Sequence, residues 1–228
     1  MSLATHVVNA DFARPAADLI AALATQHVGV LGCEVGPRQV MNPGIKPLDP
    51  AWRICGPAFT VRAEQWHDRL VGELAPKYVK PGDVIVVDAG GHTEVAVWGM
   101  SMTKGAKAAG AAGVVIDGST MNSALLSRER VQIPVFSRGT AAIAYGAEGP
   151  GSLNVPVICG GVIVYPGDII LGDSDGVIVL KLEIAKEIIA AAQSHDAQRR
   201  SDTAQGVPYH ERRNSEEKLR ALPNMRWT

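Results

Sequence analysis

Four consecutive residues, Trp66, His67, Asp68 and Arg69, place an imidazole, a carboxylate and a guanidinium side by side. Arg can bind a carboxylate through two parallel hydrogen bonds, and His exchanges a proton near neutral pH. Together these groups would suit the binding and turnover of a small anionic substrate. The alternative is a solvated helix face with Trp66 turned to the core, and the residues alone favour that alternative.

A second stretch, residues 88–94 (DAGGHTE), follows a run of β-branched residues. Its two glycines allow the backbone to approach a ligand closely, and His92 adds a titratable group. Strand ends of this kind carry the binding sites of many α/β proteins. The alternative, of equal weight, is that Asp88 and Thr93 cap a turn and a helix while His92 is merely exposed.

Two more stretches deserve the same comparison. Residues 99–102 (GMSM) bring two methionines at helical spacing, which usually fill a core. In residues 114–126 (VVIDGSTMNSALL) the apolar run stops at Asp117, and residues 117–120 predict a turn whose backbone N–H groups face an anion. A simple N-cap by Ser119 or Thr120 would explain the same pattern without any function.

The composition excludes several classes of protein. The 228 residues are 46% hydrophobic and 20% charged with a net charge of −1, so the chain is globular and has no overall basic charge for nucleic acid. Three cysteines without a CxxC pair indicate neither a disulfide framework nor a thiolate zinc site. No signal-peptide pattern and no apolar run of about 18 residues occur. We therefore expect a cytoplasmic protein with no membrane partner.

The elements that must position these residues follow from hydrophobic periodicity and turn signals. The meander of hairpins predicted for residues 152–180 precedes a helical stretch from Leu182 and a polar end after Gly206. This order predicts an α/β fold with a mixed sheet. Before the meander, the pattern predicts helices at 15–30, 64–78, 94–109 and 125–130, and strands at 54–61, 81–91, 113–116 and 134–137.

Several blocks, in order, closely resemble the RraA-like family. That family includes the 4-hydroxy-4-methyl-2-oxoglutarate and 4-carboxy-4-hydroxy-2-oxoadipate aldolases and the regulator of ribonuclease E activity. The resemblance spans roughly residues 15–200. The blocks are GPAFTVR, PGDVIVVDAGGHTEVAVWG, AKAAGAAGVVIDG, IPVFSRGT and EGPGSLNVPVICGGVIVYPGDIILGDSDGVIVL.

The resemblance implies a layered α/β/β/α sandwich of the swivelling-domain type. We expect a single domain over residues 1–205 and a C-terminal arm or tail over 206–228. The polar composition of this last stretch fits either a solvated tail or an arm that packs on a neighbouring subunit, and Trp227 favours the packed arm. The resemblance further implies a homotrimer or a hexamer with active sites between subunits. The expected chemistry is a retro-aldol reaction in which Mg²⁺ or Mn²⁺ holds a pyruvoyl unit, a reaction type associated with aromatic compound catabolism.

The residues that carry this chemistry in the family differ in this chain. The Arg-Asp pair that binds the substrate carboxylate and the metal is matched by Met121 and Asn122. The glycine followed by an acid is matched by Gly99 and Met100, and the third acid, from a neighbouring subunit, by Asp196. Because Mg²⁺ prefers anionic oxygen ligands, we prefer a site without a cofactor. Asn122 would be a poor metal ligand, and Mg²⁺ or Mn²⁺ remains the alternative.

Compared with the family that it resembles, this chain also has additional polar side chains at this site. Arg69 occupies the position of a family Asn, and His67 appears two residues earlier. We predict that Arg69 binds the substrate carboxylate, that His67 or His92 is the general acid or base, and that all three converge on one cleft with Asn122. The remaining substrate-binding residues of the prediction are Trp66, Asp68, Gly99, Met100, Ser101, Met102 and Met121, with the backbone N–H groups of Ser101 and Met102 as donors.

The predicted function is that of a lyase acting on a small carboxylated keto or dihydroxy acid, by C–C cleavage or decarboxylation. One alternative is a Mg²⁺- or Mn²⁺-dependent pyruvate aldolase that also decarboxylates oxaloacetate. The other is a non-catalytic regulator that binds a ribonuclease. A nucleic-acid partner is not expected.

Overall fold

A computed structural model describes residues 6–64, 67–128 and 133–226. Trp66 and Trp227, both named above, lie outside these residues. Within them, no helix combines the length and the apolar character needed to cross a membrane.

Helices and strands alternate through the first two thirds of the chain, and strands dominate the next part. The helices are α1 (Ala17–Ala24), α2 (Val28–Val35), α3 (Leu70–Leu74), α4 (Met100–Ala108), α5 (Ser123–Arg128), α6 (Ala185–Ala204), α7 (Tyr209–Arg212) and α8 (Ser215–Arg220). The strands are β1 (Lys46–Pro47), β2 (Ile54–Ala63), β3 (Val84–Asp88), β4 (Ala96–Trp98), β5 (Gly113–Thr120), β6 (Val135–Thr140), β7 (Gly151–Leu153), β8 (Val157–Cys159), β9 (Val162–Val164), β10 (Ile169–Asp173) and β11 (Gly176–Leu180).

In the described part of the chain, the main sheet has the order β1-β6-β5-β3-β2-β10-β11, with β4 added to β5 and β7 added to β2. The strands β2, β3, β5 and β6 are parallel to one another, and β10 and β11 are antiparallel additions. Continuous runs such as VIVV in β3 suit a sheet covered on both faces. The predicted α/β fold with a mixed sheet is confirmed.

Three apolar clusters hold the layers together. Phe59, Val87 and Trp98 belong to the cluster beneath α3 and α4, and Val86 and Phe136 belong to the cluster beneath the separate β8–β9 hairpin. A third cluster joins α1, α2 and α6 to β10 and β11. Helices and a second β layer therefore cover the main sheet, and the carboxyl ends of the parallel strands emerge between them.

Two helices predicted in the amino-terminal half have different bounds in the structure. The helix expected at 15–30 is broken into α1 and α2, and the Thr25 hydroxyl bonds back to the Ala22 carbonyl where α1 ends. The helix expected at 64–78 is short: α3 begins only at Leu70 and passes into a 3-10 turn containing Pro76. His67, Asp68 and Arg69 therefore precede a helix instead of lying on one.

Three predictions for residues 94–180 also need correction. The helix expected at 94–109 starts at Met100, because residues 96–98 pair with β5 as strand β4. Residues 117–120, expected as an anion-facing turn or an N-cap, continue β5, and their backbone groups serve the sheet. The meander expected at 152–180 consists of five short strands, of which β10 pairs with β2 and not with β9.

Candidate functional site

The start of α4 lies directly against Met121 and Asn122. The Trp98 carbonyl accepts hydrogen bonds from the Met121 backbone N–H at 3.0 Å and from the Thr120 hydroxyl at 3.2 Å. A side chain at Gly99 would begin 3.1 Å from Met121 Cγ and 3.5 Å from Asn122 Oδ1. The sequence therefore places a glycine where the two segments come closest.

The first turn of α4 presents free backbone donors at this point. The first helical hydrogen bond runs from the Thr103 N–H to the Gly99 carbonyl at 3.0 Å. The N–H groups of Met100, Ser101 and Met102 thus have no partner within the helix, and Gly99 has no side chain to cap them. The positive end of the helix dipole and these donors together favour an anion.

A buried hydrogen-bond chain fixes this turn. The Trp98 indole N–H donates to the Thr103 hydroxyl at 2.9 Å, and that hydroxyl donates to the Gly99 carbonyl at 3.0 Å. Trp98 and Thr103 are both only 1% exposed. Met102 is buried beside Gly72 of α3, so its side chain fills the core as helical spacing suggested, and only its backbone can serve a ligand.

Asn122 has an unusual backbone conformation. Its φ of 62° lies in the left-handed region, which Asn tolerates better than most residues. Its carbonyl accepts the Leu126 N–H at 2.8 Å and so begins α5. The side chain is exposed at the mouth of the site and lies on the side of Gly99.

His67 and Arg69 lie beside a different segment. The His67 ring packs edge-on against the Tyr145 ring at 6.4 Å between centroids. Arg69 donates to the Tyr145 carbonyl and, through Nε, to Glu73 Oε1 at 2.8 Å. The structure therefore brings His67 and Arg69 together at the start of α3.

Asp68, between these two residues, anchors the backbone. Its Oδ1 accepts the Leu70 N–H at 2.8 Å, and its Oδ2 accepts the N–H groups of Glu148 at 3.0 Å and Gly149 at 2.7 Å. Burial works against the charged form, but these three donors outweigh it and lower the pKa of Asp68. The side chain is 5% exposed, so its observed contacts are structural.

The carboxyl ends of the parallel strands carry a row of charges. The Asp88 carboxylate accepts the Gly90 N–H at 3.0 Å and the Ile158 N–H at 3.1 Å, so it caps a turn and holds the β8–β9 hairpin. Burial raises the pKa of Asp88, and the charge of the adjacent Asp117 adds to the increase. The Arg138 guanidinium neutralises the charge of the Asp117 carboxylate, and Arg138 Nε donates to Asp117 Oδ1 at 2.6 Å.

His92 lies near this row. Its Nδ1 is 3.7 Å from Glu94 Oε2, and its carbonyl lies against Gly118 of β5. A strand rises about 3.3 Å per residue, so the backbone at Gly118 is roughly 10 Å from that at Met121. Convergence of His67, Arg69 and His92 on one cleft stays a prediction.

The donor set at the α4 site does not fit Mg²⁺ or Mn²⁺. Asn122 offers a neutral amide oxygen, and its neighbours Met100 and Met121 offer thioethers, whereas these hard cations require several oxygen ligands. In residues 6–64, 67–128 and 133–226, no three His, Cys, Asp or Glu side chains are grouped as a metal site. Asp196, the predicted match for a third acid, is bonded to Arg199 and Arg200.

Comparison with known proteins decides the family. The model of the family described as RraA-like (Aldolase/RraA) matches residues 17–179. The chain belongs to the RraA-like family. A Halalkalibacterium halodurans protein that carries the provisional name 4-hydroxy-4-methyl-2-oxoglutarate aldolase is 38% identical over 153 residues, which are 67% of this chain and 71% of that protein. A Burkholderia multivorans protein with the same provisional name is 31% identical over 144 residues, which are 63% of this chain and 85% of that protein.

A solved RraA-like structure confirms the fold. The crystal structure of RraAS2 from Streptomyces coelicolor, described as an unusual member of the RNase ES inhibitor RraA protein family, matches with a TM-score of 0.74 and 27% identity. The match covers 85% of this chain and 99% of that one. The predicted layered α/β sandwich of the RraA-like type is thereby confirmed.

Two features of the site had no counterpart in the sequence-based prediction. Arg138 lies within the quoted block IPVFSRGT, but nothing in its spacing indicated the ion pair with Asp117. The Trp98–Thr103 hydrogen bond was also missed, although a Trp five residues before a Thr at a strand-to-helix junction is a usable signal.

Proposed function

We propose that this RraA-like protein is a lyase that cleaves a C–C bond in, or decarboxylates, a small carboxylated keto or dihydroxy acid without a bound metal ion. The observation that supports this most directly is the start of α4, where the first N–H groups have no partner within the helix and Gly99 lies against the Met121–Asn122 segment. The provisional aldolase names of the relatives from Halalkalibacterium and Burkholderia support the same reaction class.

In this proposal the substrate carboxylate binds the N–H groups of Ser101 and Met102 at the positive end of α4. The Asn122 amide donates to the keto oxygen. When the C–C bond breaks, its electron pair moves to that oxygen as an enolate, and the Asn122 donor offsets the developing charge. In C–C cleavage, His67 or His92 first takes the proton of the substrate hydroxyl, whose oxygen becomes the carbonyl oxygen of the departing fragment, and then returns that proton to the enolate carbon. In decarboxylation the departing fragment is CO2, and the same histidine donates a proton to the carbon.

Arg69 would bind a second carboxylate. In the observed conformation it pairs with Glu73 at positions i and i+4, and both side chains are about one third exposed. Such a pair contributes only about 0.3–0.5 kcal/mol to stability. A substrate carboxylate that accepts two hydrogen bonds from Arg69 can therefore replace Glu73.

The test is a steady-state assay of oxaloacetate decarboxylation and of pyruvate release from 4-hydroxy-4-methyl-2-oxoglutarate, each with and without EDTA. We expect turnover to survive EDTA. Gly99→Ala should raise KM about tenfold or more, because the added methyl group displaces Met121 and Asn122, while the extended backbone at Gly99 tolerates alanine. Arg69→Ala should raise KM strongly, whereas Arg220→Ala, which removes a similar helical pair with Glu216, should have no effect.

Each contrary result has a definite meaning. Complete loss of turnover on chelation, with recovery in Mg²⁺ or Mn²⁺, would replace the proposal with a metal-dependent pyruvate aldolase. Unchanged KM and kcat in Arg69→Ala for every carboxylate substrate would remove Arg69 from the site.

A second candidate is a non-catalytic regulator that binds a ribonuclease. The match to RraAS2 from Streptomyces coelicolor, which covers 99% of that chain, favours it. Its test is an RNA cleavage assay with purified ribonuclease E-type enzyme and increasing amounts of this protein. Inhibition at stoichiometric amounts, together with no turnover of either oxo acid, would support the regulator over the lyase.

A further inference from the structure

A cavity lies among α2, α6 and α7, far along the chain from the α4 site. Its volume is about 1040 Å³, and none of its lining residues belongs to β4, α4 or β5. Val30, Ala204 and Tyr209 give it an apolar part. The charged lining residues are Glu34, Asp196, Asp202, Arg199, Arg200, Arg212 and Arg213, with His195 beside them.

The three carboxylates of this cavity already have partners. Glu34 Oε1 lies 2.6 Å from His195 Nδ1. Asp196 bonds to both Arg199 and Arg200. Asp202 Oδ1 accepts a hydrogen bond from Gln198 at 2.7 Å.

Arg212 is the group whose bonding is incomplete. Its Nε is buried and has no hydrogen-bond partner within the described residues. Its Nη1 lies 3.4 Å from the Thr203 hydroxyl, a long contact, and its guanidinium lies 5.6 Å from the Tyr209 ring centroid. A guanidinium with a buried, unused donor is suited to an oxyanion that accepts two parallel hydrogen bonds.

We propose that this cavity binds a small oxyanion, either a carboxylate or a phosphate group, through Arg212. The four arginines exceed the three carboxylates by one positive charge with His195 neutral, so an anion would balance the lining. Arg212 belongs to α7, and its contact with Thr203 of α6 is long. A bound oxyanion would bridge these helices and hold the segment after Gly206 against α6.

The test is calorimetric titration of the full chain with sodium phosphate and, separately, with sodium benzoate, against sodium chloride at matched ionic strength. We expect saturable binding of at least one anion, and Arg212→Gln should weaken it tenfold or more. Arg220→Gln is the matched control, since Arg220 lies on the same arm but pairs with Glu216, and it should bind as the unchanged chain does. Binding of phosphate or of benzoate identifies which oxyanion the cavity accepts, and either supports the proposal.

A second readout separates binding from a general loss of structure. Hydrogen exchange of α7 should slow when the binding anion is added, and this protection should be absent in Arg212→Gln. Arg212→Lys keeps the charge but loses the two-pronged donor, so it should bind more weakly than the unchanged chain. No saturable binding of either anion, or equal binding by Arg212→Gln and Arg220→Gln, would overturn the proposal.

Discussion

At the scale of single residues, Asp68 shows how a candidate for chemistry can instead organise the backbone around the site. Its two carboxylate oxygens accept three backbone N–H groups, from Leu70, Glu148 and Gly149. It thereby joins the start of α3 to the loop before β7, and its neighbours His67 and Arg69 depend on that link for their positions. Its observed role is positioning, and the predicted direct contact with substrate is not needed to explain it.

Asp68→Asn should therefore reduce stability. An amide oxygen can replace only one carboxylate oxygen, so we expect a loss of about 1–3 kcal/mol in the free energy of unfolding at pH 7. Urea unfolding measures it. Asp49→Asn is the control variant, because the Asp49 side chain accepts a single backbone N–H, that of Ala51. This substitution should lower the free energy of unfolding by less than Asp68→Asn does.

The stabilisation of the folded chain by the Asp68 carboxylate should depend on pH. Its pKa is lower in the folded chain than in the unfolded one, so its stabilisation is fully present above the unfolded pKa and is lost as pH falls through the folded pKa. The difference between Asp68→Asn and the unchanged chain should thus shrink in acid. A difference that stays constant from pH 7 to pH 3 would show that the carboxylate charge is irrelevant.

At the scale of elements, the junction of β4 and α4 positions the candidate site. β4 pairs with β5 through Trp98 and Thr120, and the Trp98 indole then bonds to Thr103 one turn into α4. The Thr103 hydroxyl thus connects strand β4 to the first turn of α4, whose N–H groups have no partner within the helix. Loss of that hydroxyl should lower the stability of the protein and weaken substrate binding.

Thr103→Val keeps the shape of the side chain and removes the hydroxyl. It leaves the buried Trp98 N–H without a partner, which should cost about 1–3 kcal/mol in the free energy of unfolding. It should also raise KM for the substrate of the lyase reaction, since the first turn of α4 loses an anchor. Thr103→Ser retains the hydroxyl and should preserve KM; equal KM values in the two variants would show that the hydroxyl does not position the site.

The same junction explains where prediction from sequence failed. Periodicity predicted β2, β3 and the long helix α6 well, because each is a continuous pattern in its own residues. Residues 96–98 were assigned to a helix, yet they form β4, because their conformation is set by pairing with β5, far away in sequence. The helix predicted from residue 64 likewise begins only at Leu70, and the preceding Asp68 bonds to residues 148 and 149, which no local pattern reveals.

At the scale of the whole molecule, the family could be predicted from blocks of sequence, but the state of the site could not. The blocks that resemble the family lie mainly in the sheet and its turns, which set the fold. The residues that would carry its chemistry, at positions 121, 122 and 100, are single side chains that can change without disturbing those turns. Fold and function are therefore separable here, and the second must be argued from the residues actually present.

The described segment after residue 205 carries several exposed apolar side chains. Among the described residues 206–226, none is buried, and Tyr209, Leu219, Leu222 and Met225 are large apolar side chains that are 42–68% exposed. If these side chains form one contiguous patch, they would suit an interface with another molecule. That residues 206–228 form an arm on a neighbouring subunit stays a prediction.

Truncation after Gln205 tests that prediction. Because no described residue of the arm is itself buried, the shortened chain should keep the shape of its circular dichroism spectrum and unfold cooperatively. Its assembly mass by light scattering should fall below that of the full chain, because the apolar side chains that join the subunits are gone. Full-length Arg220→Gln, which changes the charge of the arm but not its apolar side chains, should keep the original mass. An unchanged mass after truncation would show that the arm is not an interface, and loss of cooperative unfolding would show that it belongs to the folded domain.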